Sequence, residues 1–226
     1  MNKENHDAFD QNASKKAAGI KAAEYVKDGM VVGLGTGSTV KYFIEKLAEK
    51  SFDITCIPTS IASEELAVSL GLKITNLKEH PIIDVDVDGA DEVDTKFNLI
   101  KGGGGALTRE KIVAEASKYF IVVADESKMV HRLGKFPVAV EVLAFAEGSA
   151  SKRIKELGGL PKKREGFKTD SGNIILDCKF NIIEPQKLET ELKNIPGVVE
   201  NGIFARRKPE KVIIGKGMKT EVMERE

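Results

Sequence analysis

Apolar positions in this chain fall into short runs that alternate between helical and strand spacing, and that alternation predicts most of the elements. ASKKAAGIKAAEYVKDGM (residues 13–30) has helical spacing and predicts an amphipathic helix ending near Gly29; the polar stretch of residues 1–11 before it reads as a loose tail. An apolar strand, MVVGLG, stops in the glycine-rich GLGTGST, after which VKYFIEKLAEK resumes helical spacing with Phe43, Ile44 and Leu47 on one face. The strand FDITCIPTS, the helix SEELAVSLG, the short segments KITNL and IIDVDV, the helix REKIVAEASKY and the strand FIVVADES continue the pattern. Up to about residue 132 this rhythm argues for a parallel sheet covered by helices.

The order then changes to VAVEVL (strand), SASKRIKELGG (helix), LPKKRE and NIILDCKFN (two strands around TDSGN), PQKLETELKNIPG (helix) and VVENGIF (strand). That β-α-β-β-α-β order is the ferredoxin-like split unit. A last apolar strand, KVIIGKG, is expected to return to the first sheet. The expected fold class is therefore α/β: a Rossmann-like, mostly parallel sheet domain (residues 1–132 and 207–226) with an inserted ferredoxin-like α+β domain (residues 133–206).

Composition narrows the function. The 226 residues carry 35 Lys plus Arg against 35 Asp plus Glu, which speaks against a surface built to coat nucleic acid or anionic lipid and favours a small-molecule partner. Cys56 and Cys178 lie far apart with no CxxC, as expected of two thiols in a reducing compartment. No signal-peptide pattern or long apolar run occurs, so a cytoplasmic protein away from the membrane is expected.

Four segments could carry chemistry. GLGTGST (Gly33 to Thr39) joins a strand to a helix, where backbone amides and the helix dipole favour an anion. It lacks the lysine of a nucleotide phosphate loop and the third glycine of the dinucleotide fingerprint, so it suits a monophosphate; alternatively it is a tight turn with Ser38 or Thr39 as cap. In IIDVDVDGADEVD, alternation puts Ile83, Val85 and Val87 on one face and Asp84, Asp86 and Asp88 on the other, which requires compensation. A calcium loop is disfavoured because Thr95 stands where a bidentate glutamate is needed. Acid–base work by Asp88 and Asp91, at the carboxyl end of the strand, is the other reading, with Asp84 and Asp86 structural. NLIKGGGGALTREKI sets Lys101 before four glycines, a run explained by close approach of a ligand, and Glu110 in the first turn of a helix that Thr108 could cap. ADESK offers Lys128 as a phosphate contact or a solvated lysine, and no chemistry is assigned to His6, His80 or His131.

Together GLGTGST, DGADEVD, KGGGGALTREKI and ADESK, in this order and spacing from about Ala13 to Gly217, resemble ribose 5-phosphate isomerase of the A type. The resemblance implies the same two-domain fold and a homodimer or homotetramer that interconverts ribose 5-phosphate and ribulose 5-phosphate in the non-oxidative pentose phosphate branch, without metal or other cofactor. It implies that Glu110 is the catalytic base and that Asp88, Asp91 and Lys101 are polar active-site residues. Substrate-binding positions implied in the same way are Thr36, Gly37, Ser38, Thr39, Gly89, Ala90, Gly102, Gly103, Gly104 and Lys128, with Lys15 matching a lysine near the phosphate. The chemistry suits these residue types: one carboxylate can remove the C2 proton and return it to C1 of a cis-enediolate, whose charge a lysine and backbone amides would stabilise. Rival readings are a sugar-phosphate sensor, disfavoured because no DNA-binding segment precedes residue 12, and an amino-sugar phosphate deaminase or coenzyme A transferase, whose motifs the DGAD and KGGGG pairing does not resemble.

Overall fold

The computed structural model describes residues 3–225. In chain order the elements are α1 (Lys3–Ala22), β1 (Val31–Leu34), α2 (Ser38–Lys50), β2 (Thr55–Pro58), α3 (Ile61–Ser69), β3 (Lys73–Ile74), β4 (Ile83–Gly89), β5 (Glu92–Asp94), β6 (Leu99–Ile100), α4 (Leu107–Ala116), β7 (Ser117–Asp125) and β8 (Met129–Val130). They continue with β9 (Val138–Val142), α5 (Glu147–Glu156), β10 (Leu160–Lys163), β11 (Ile174–Lys179), α6 (Pro185–Lys193), β12 (Val198–Asn201), β13 (Ile203–Phe204), β14 (Lys211–Lys216) and β15 (Lys219–Glu224). The chain divides into two compact units, one formed by residues up to Gly89 with Ile112–Lys128 and the segment from Pro209, the other by Ala90–Lys111 and Met129–Lys208.

The first unit is built on a seven-stranded sheet of order β15-β14-β7-β4-β1-β2-β3. All neighbours are parallel except β15, which returns antiparallel along β14. As expected, KVIIGKG rejoins this sheet beside β7. Register places Val32 and Leu34 beside Val85 and Val87, and these four pack in one cluster with Phe43, Ile44 and Leu47 of α2 and Ala18 and Ala22 of α1. Ile83, grouped by alternation with the two valines, joins Ile57 and Val113 in a separate cluster. From β1 the chain proceeds to β2 and β3 on one side and then crosses to β4 on the other, so the strand order reverses between β1 and β4. Open α/β sheets bind ligands at the carboxyl ends of the strands flanking such a point.

The second unit holds two four-stranded sheets, of order β10-β11-β9-β12 and β13-β6-β5-β8. The first is antiparallel throughout and has the strand order of the ferredoxin-like unit, with α5 and α6 as its two helices. Its core gathers Val138, Val140 and Val142 with Ile154, Leu176 and Leu192.

The structure departs from the sequence expectations in several places. The helix expected over REKIVAEASKY ends at Ala116, and Ser117 to Tyr119 open β7 beside β4. The helix expected to follow a loose tail starts at Lys3, taking residues 3–11 into α1, and ends at Ala22 rather than near Gly29. Once a helical turn is nucleated each added residue contributes a hydrogen bond, so a polar stretch can be helical without an apolar stripe. Residues 90–111, grouped by the sequence with the larger domain, cluster with the second unit, because β5 and β6 pair with β8 and β13. VVENGIF is divided between two sheets at Gly202, where a side chain could not fit: a Cβ there would lie 2.1 Å from the Lys101 carbonyl oxygen.

Candidate active site

In the first unit the glycine-rich loop and the aspartate strand are built for one another. Gly33 pairs with Asp86 across β1 and β4, and a Cβ on Gly33 would fall 2.5 Å from Asp86 Oδ1. A Cβ on Gly35 would fall 2.2 Å from Asp88 Oδ1. The first two glycines of the motif thus make room for two fully buried carboxylates. Asp88 Oδ1 accepts from the amides of Thr36 (3.0 Å) and Gly89 (2.7 Å), which fixes the carboxylate at the carboxyl end of β4. Asp84 has a structural role: it accepts from the Val31 amide at 2.9 Å and from Lys118 Nζ at 2.8 Å. The hydrogen bond from Lys118, with the Val31 amide, holds its carboxyl below the ordinary value.

The loop leads into α2 with Gly37 at the N-cap in a conformation (φ 119°) that favours glycine, and no side chain caps the helix. The alternative of a Ser38 or Thr39 cap is therefore excluded; Ser38 is exposed and Thr39 is buried. Gly37 and Ser38 at this uncapped helix start line a cavity of about 340 Å³ together with Thr36, Lys41 and Ser63. Sequence reasoning missed a group of hydroxyls that orders the loop. Thr36 Oγ1 lies 2.8 Å from Thr59 Oγ1, 2.8 Å from Ser60 Oγ and 3.2 Å from Ser63 Oγ, while Ser63 Oγ donates to the Gly35 carbonyl at 2.6 Å. TSIAS shows in sequence only a cap for α3, which Ser60 provides through the Ser63 amide; that these hydroxyls meet Thr36 depends on β2 pairing with β1. Lys128, half-buried, closes a single helical turn after β7, and Lys15 is half-buried on α1.

In the second unit Lys101 and Glu110 form a buried ion pair, Nζ to Oε2 3.3 Å, with side chains 2% and 6% exposed. Two features hold Lys101 from outside its own segment. Its amide donates to the Gly202 carbonyl at 2.8 Å, and its ammonium lies 5.7 Å from the centroid of Phe204. Glu110 stands in the first turn of α4. Thr108, a candidate cap, is itself within the helix, and its hydroxyl donates to the buried carboxylate of Glu141. The next residue, Lys111, donates to Glu189 Oε1 and Glu200 Oε1, both at 3.0 Å, and to the Asn201 and Ile203 carbonyls, both at 2.8 Å. Nothing in the sequence distinguished this buried lysine from a solvated helix lysine. Burial pushes the Glu200 carboxyl up, but the Lys111 charge, the Asn201 amide and Lys193 outweigh it and leave the group below its ordinary value.

Asp91 Oδ2 accepts from the Gly103 amide at 2.8 Å, and a Cβ on Gly103 would lie 2.6 Å from Asp91 Oδ1. Gly102 (φ 100°) and Gly105 (φ 85°) have backbone conformations that side chains rarely adopt. Arg164, also unforeseen, donates from Nη2 to the Gly102 carbonyl at 3.2 Å and from Nη1 to the Gly103 carbonyl at 3.1 Å. The structure thus gathers Gly35 to Thr39 with Asp88 in the first unit, and Asp91, Lys101 to Gly105 and Glu110 in the second. The chain passes from one unit to the other between Gly89 and Ala90.

The family model described as ribose 5-phosphate isomerase A (phosphoriboisomerase A) matches residues 55–219. A ribose-5-phosphate isomerase A of Legionella pneumophila (strain Corby) is 51% identical over 201 residues, covering 86% of this chain and 93% of the relative. The crystal structure of ribose 5 phosphate isomerase A from Neisseria gonorrhoeae superposes with a TM-score of 0.93 at 42% identity, covering 95% of this chain and 97% of that one. A structure of D-ribose-5-phosphate isomerase in complex with phospho-erythronic acid has a TM-score of 0.91 at 43% identity and covers 93% of this chain and 97% of its own.

Proposed function

Because the chain belongs to the ribose 5-phosphate isomerase A family and is an isomerase interconverting ribose 5-phosphate and ribulose 5-phosphate, we propose that Glu110 is its general base and that the reaction runs through a cis-enediolate. The buried Lys101–Glu110 pair carries this reading. Isomerisation needs a carboxylate that is shielded from water, close to a cation, and able to remove a proton from C2 and return one to C1 of the same intermediate. As charge develops on the enediolate oxygens, Lys101 and the amides of the Gly102–Gly104 segment act as preorganised stabilisers. The related isomerase solved with phospho-erythronic acid supports the reading, since the planar charged carboxylate of that acid resembles an enediolate.

The remaining roles follow from the local chemistry. The uncapped first turn of α2, with Thr36, Gly37, Ser38 and Thr39, receives the phosphate, whose charge complements the helix dipole. Lys128 and Lys15 add positive charge to the same anion. Asp88 takes the anomeric hydroxyl proton as the furanose opens and returns it to the ring oxygen released from C1, and Asp91 orients sugar hydroxyls, with the backbone at Gly89 and Ala90 between them in the chain. Because Thr36 and Gly89 amides already engage one Asp88 oxygen, that carboxylate is fixed before the sugar arrives.

The test is to supply ribose 5-phosphate in deuterated buffer and follow the ketose. Ribulose 5-phosphate carrying deuterium at C1 is the expected result, its amount set by how fast the proton on Glu110 exchanges with solvent. A ketose formed by hydride shift, with the C2 hydrogen of the aldose retained in full at C1 even at long times, contradicts the enediolate.

A further inference from the structure

A trans peptide holds its carbonyl and its N–H on opposite sides, and the Gly102–Gly103 peptide is gripped at both. Its N–H donates to Asp91 Oδ2 at 2.8 Å, and its carbonyl accepts from Arg164 Nη2 at 3.2 Å. Arg164 Nη1 takes the next carbonyl, that of Gly103, at 3.1 Å. The guanidinium is anchored behind by Asp177 on β11, which accepts from Nη2 at 2.5 Å and from Nε at 2.9 Å. It also stacks over Phe167 at 5.2 Å, whose ring fills the space that a side chain on Gly105 would need. The Arg164 side chain is 19% exposed, so these contacts are partly shielded from solvent.

We propose that Arg164 is a positioning residue of the isomerase: by fixing the Gly102–Gly103 and Gly103–Gly104 peptides from behind, it sets the Asp91 carboxylate and the direction of the Gly104 amide. This rests on the reading above that Asp91 and the glycine segment act on the sugar. Four consecutive glycines have no side chains to hold their conformation, and a loop that must present amides in one orientation needs an external clamp. A guanidinium suits that task because its planar fork can serve two carbonyls and a carboxylate at once, which an ammonium cannot. The chain Asp177, Arg164, peptide, Asp91 also links two carboxylates through a polarised peptide, and each bond strengthens its neighbours.

Steady-state kinetics with ribose 5-phosphate on the parent enzyme, Arg164→Ala, Arg164→Lys and Glu110→Gln test this. Arg164→Ala is expected to lower kcat by about 10- to 100-fold, in the range of losses seen when a supporting residue is removed, with a smaller change in KM. Guanidinium ion at low millimolar concentration is expected to restore part of that loss and leave the parent unchanged, while Arg164→Lys recovers little. A kcat for Arg164→Ala within about twofold of the parent, or a loss that neither guanidinium nor Arg164→Lys moves, overturns the positioning role. Should Arg164→Ala fail to fold, Asp177→Asn loosens the clamp while keeping the cation; it is expected to lower kcat by a smaller factor, and a parental kcat overturns the role. Glu110→Gln separates the two layers: if it retains parental turnover the underlying site reading fails, whereas an inactive Glu110→Gln beside a fully active Arg164→Ala removes Arg164 alone.

Discussion

At the scale of single residues, the most telling positions are the glycines that answer aspartates. GLGTGST reads in sequence as a phosphate loop, yet Gly33 and Gly35 serve Asp86 and Asp88 first, since their absent side chains leave the space those carboxylates occupy. Two substitutions should separate the two contacts. Gly35→Ala pushes a methyl group into Asp88 and is expected to lower kcat/KM by about 100-fold, the loss that a displacement near 1 Å can cause, measured by steady-state kinetics. Gly33→Ala meets both Asp86 and Val113 and is expected to destabilise the fold by about 1–3 kcal/mol in urea denaturation, as overpacking does. The candidate side chains were legible because their motifs are local in sequence. Their supports were not. Arg164 follows β10 and reaches a segment some sixty residues earlier, and the hydroxyl group around Thr36 depends on β2 lying beside β1. A single sequence does not show such register.

At the scale of elements, α4 is the piece on which the proposed chemistry depends. Its first turn carries Glu110, and the next residue, Lys111, anchors the helix with its three N–H groups shared among four acceptors on Glu189, Glu200, Asn201 and Ile203. Lys111→Met leaves two acidic side chains without their buried partner and is expected to cost about 3–5 kcal/mol, read from a chemical denaturation curve. The same network gives stability a dependence on pH. The Glu200 carboxyl titrates below its ordinary value of 4.5 in the folded protein, so its contribution is fully present above that value and is lost as pH falls through the folded one. Acidification from about pH 6 to about pH 3 is therefore expected to lower the Tm of the parent more than that of Glu200→Gln; equal losses would show that the network does not set the acid limit. Most elements followed from periodicity. The short strands β5, β6 and β8 did not, because two or three residues are too few to establish a period, and β13 was expected only as the end of the strand VVENGIF.

At the scale of the molecule, the alternation of strands and helices gave the parallel sheet and the later β-α-β-β-α-β order gave the second architecture, both as the structure has them. The sequence could not reveal that residues 90–111, which contain Asp91, Lys101 and Glu110, cluster with the second unit, since β5 and β6 find their partners β8 and β13 only at long range. Each unit buries one cysteine, and burial pushes both the Cys56 and the Cys178 thiol up to about 12. Because the thiolate is the reactive form, neither is expected to react with a disulfide reagent in the native protein at mildly alkaline pH, while both react once denaturant is added; a rapid native reaction would show that one unit opens. The central claim is that Glu110, held beside Lys101, takes and returns the proton. Its most direct test is the kcat of purified, folded Glu110→Gln with ribose 5-phosphate: a fall of about 10²- to 10⁴-fold with substrate binding retained is predicted, and turnover close to that of the parent would contradict it.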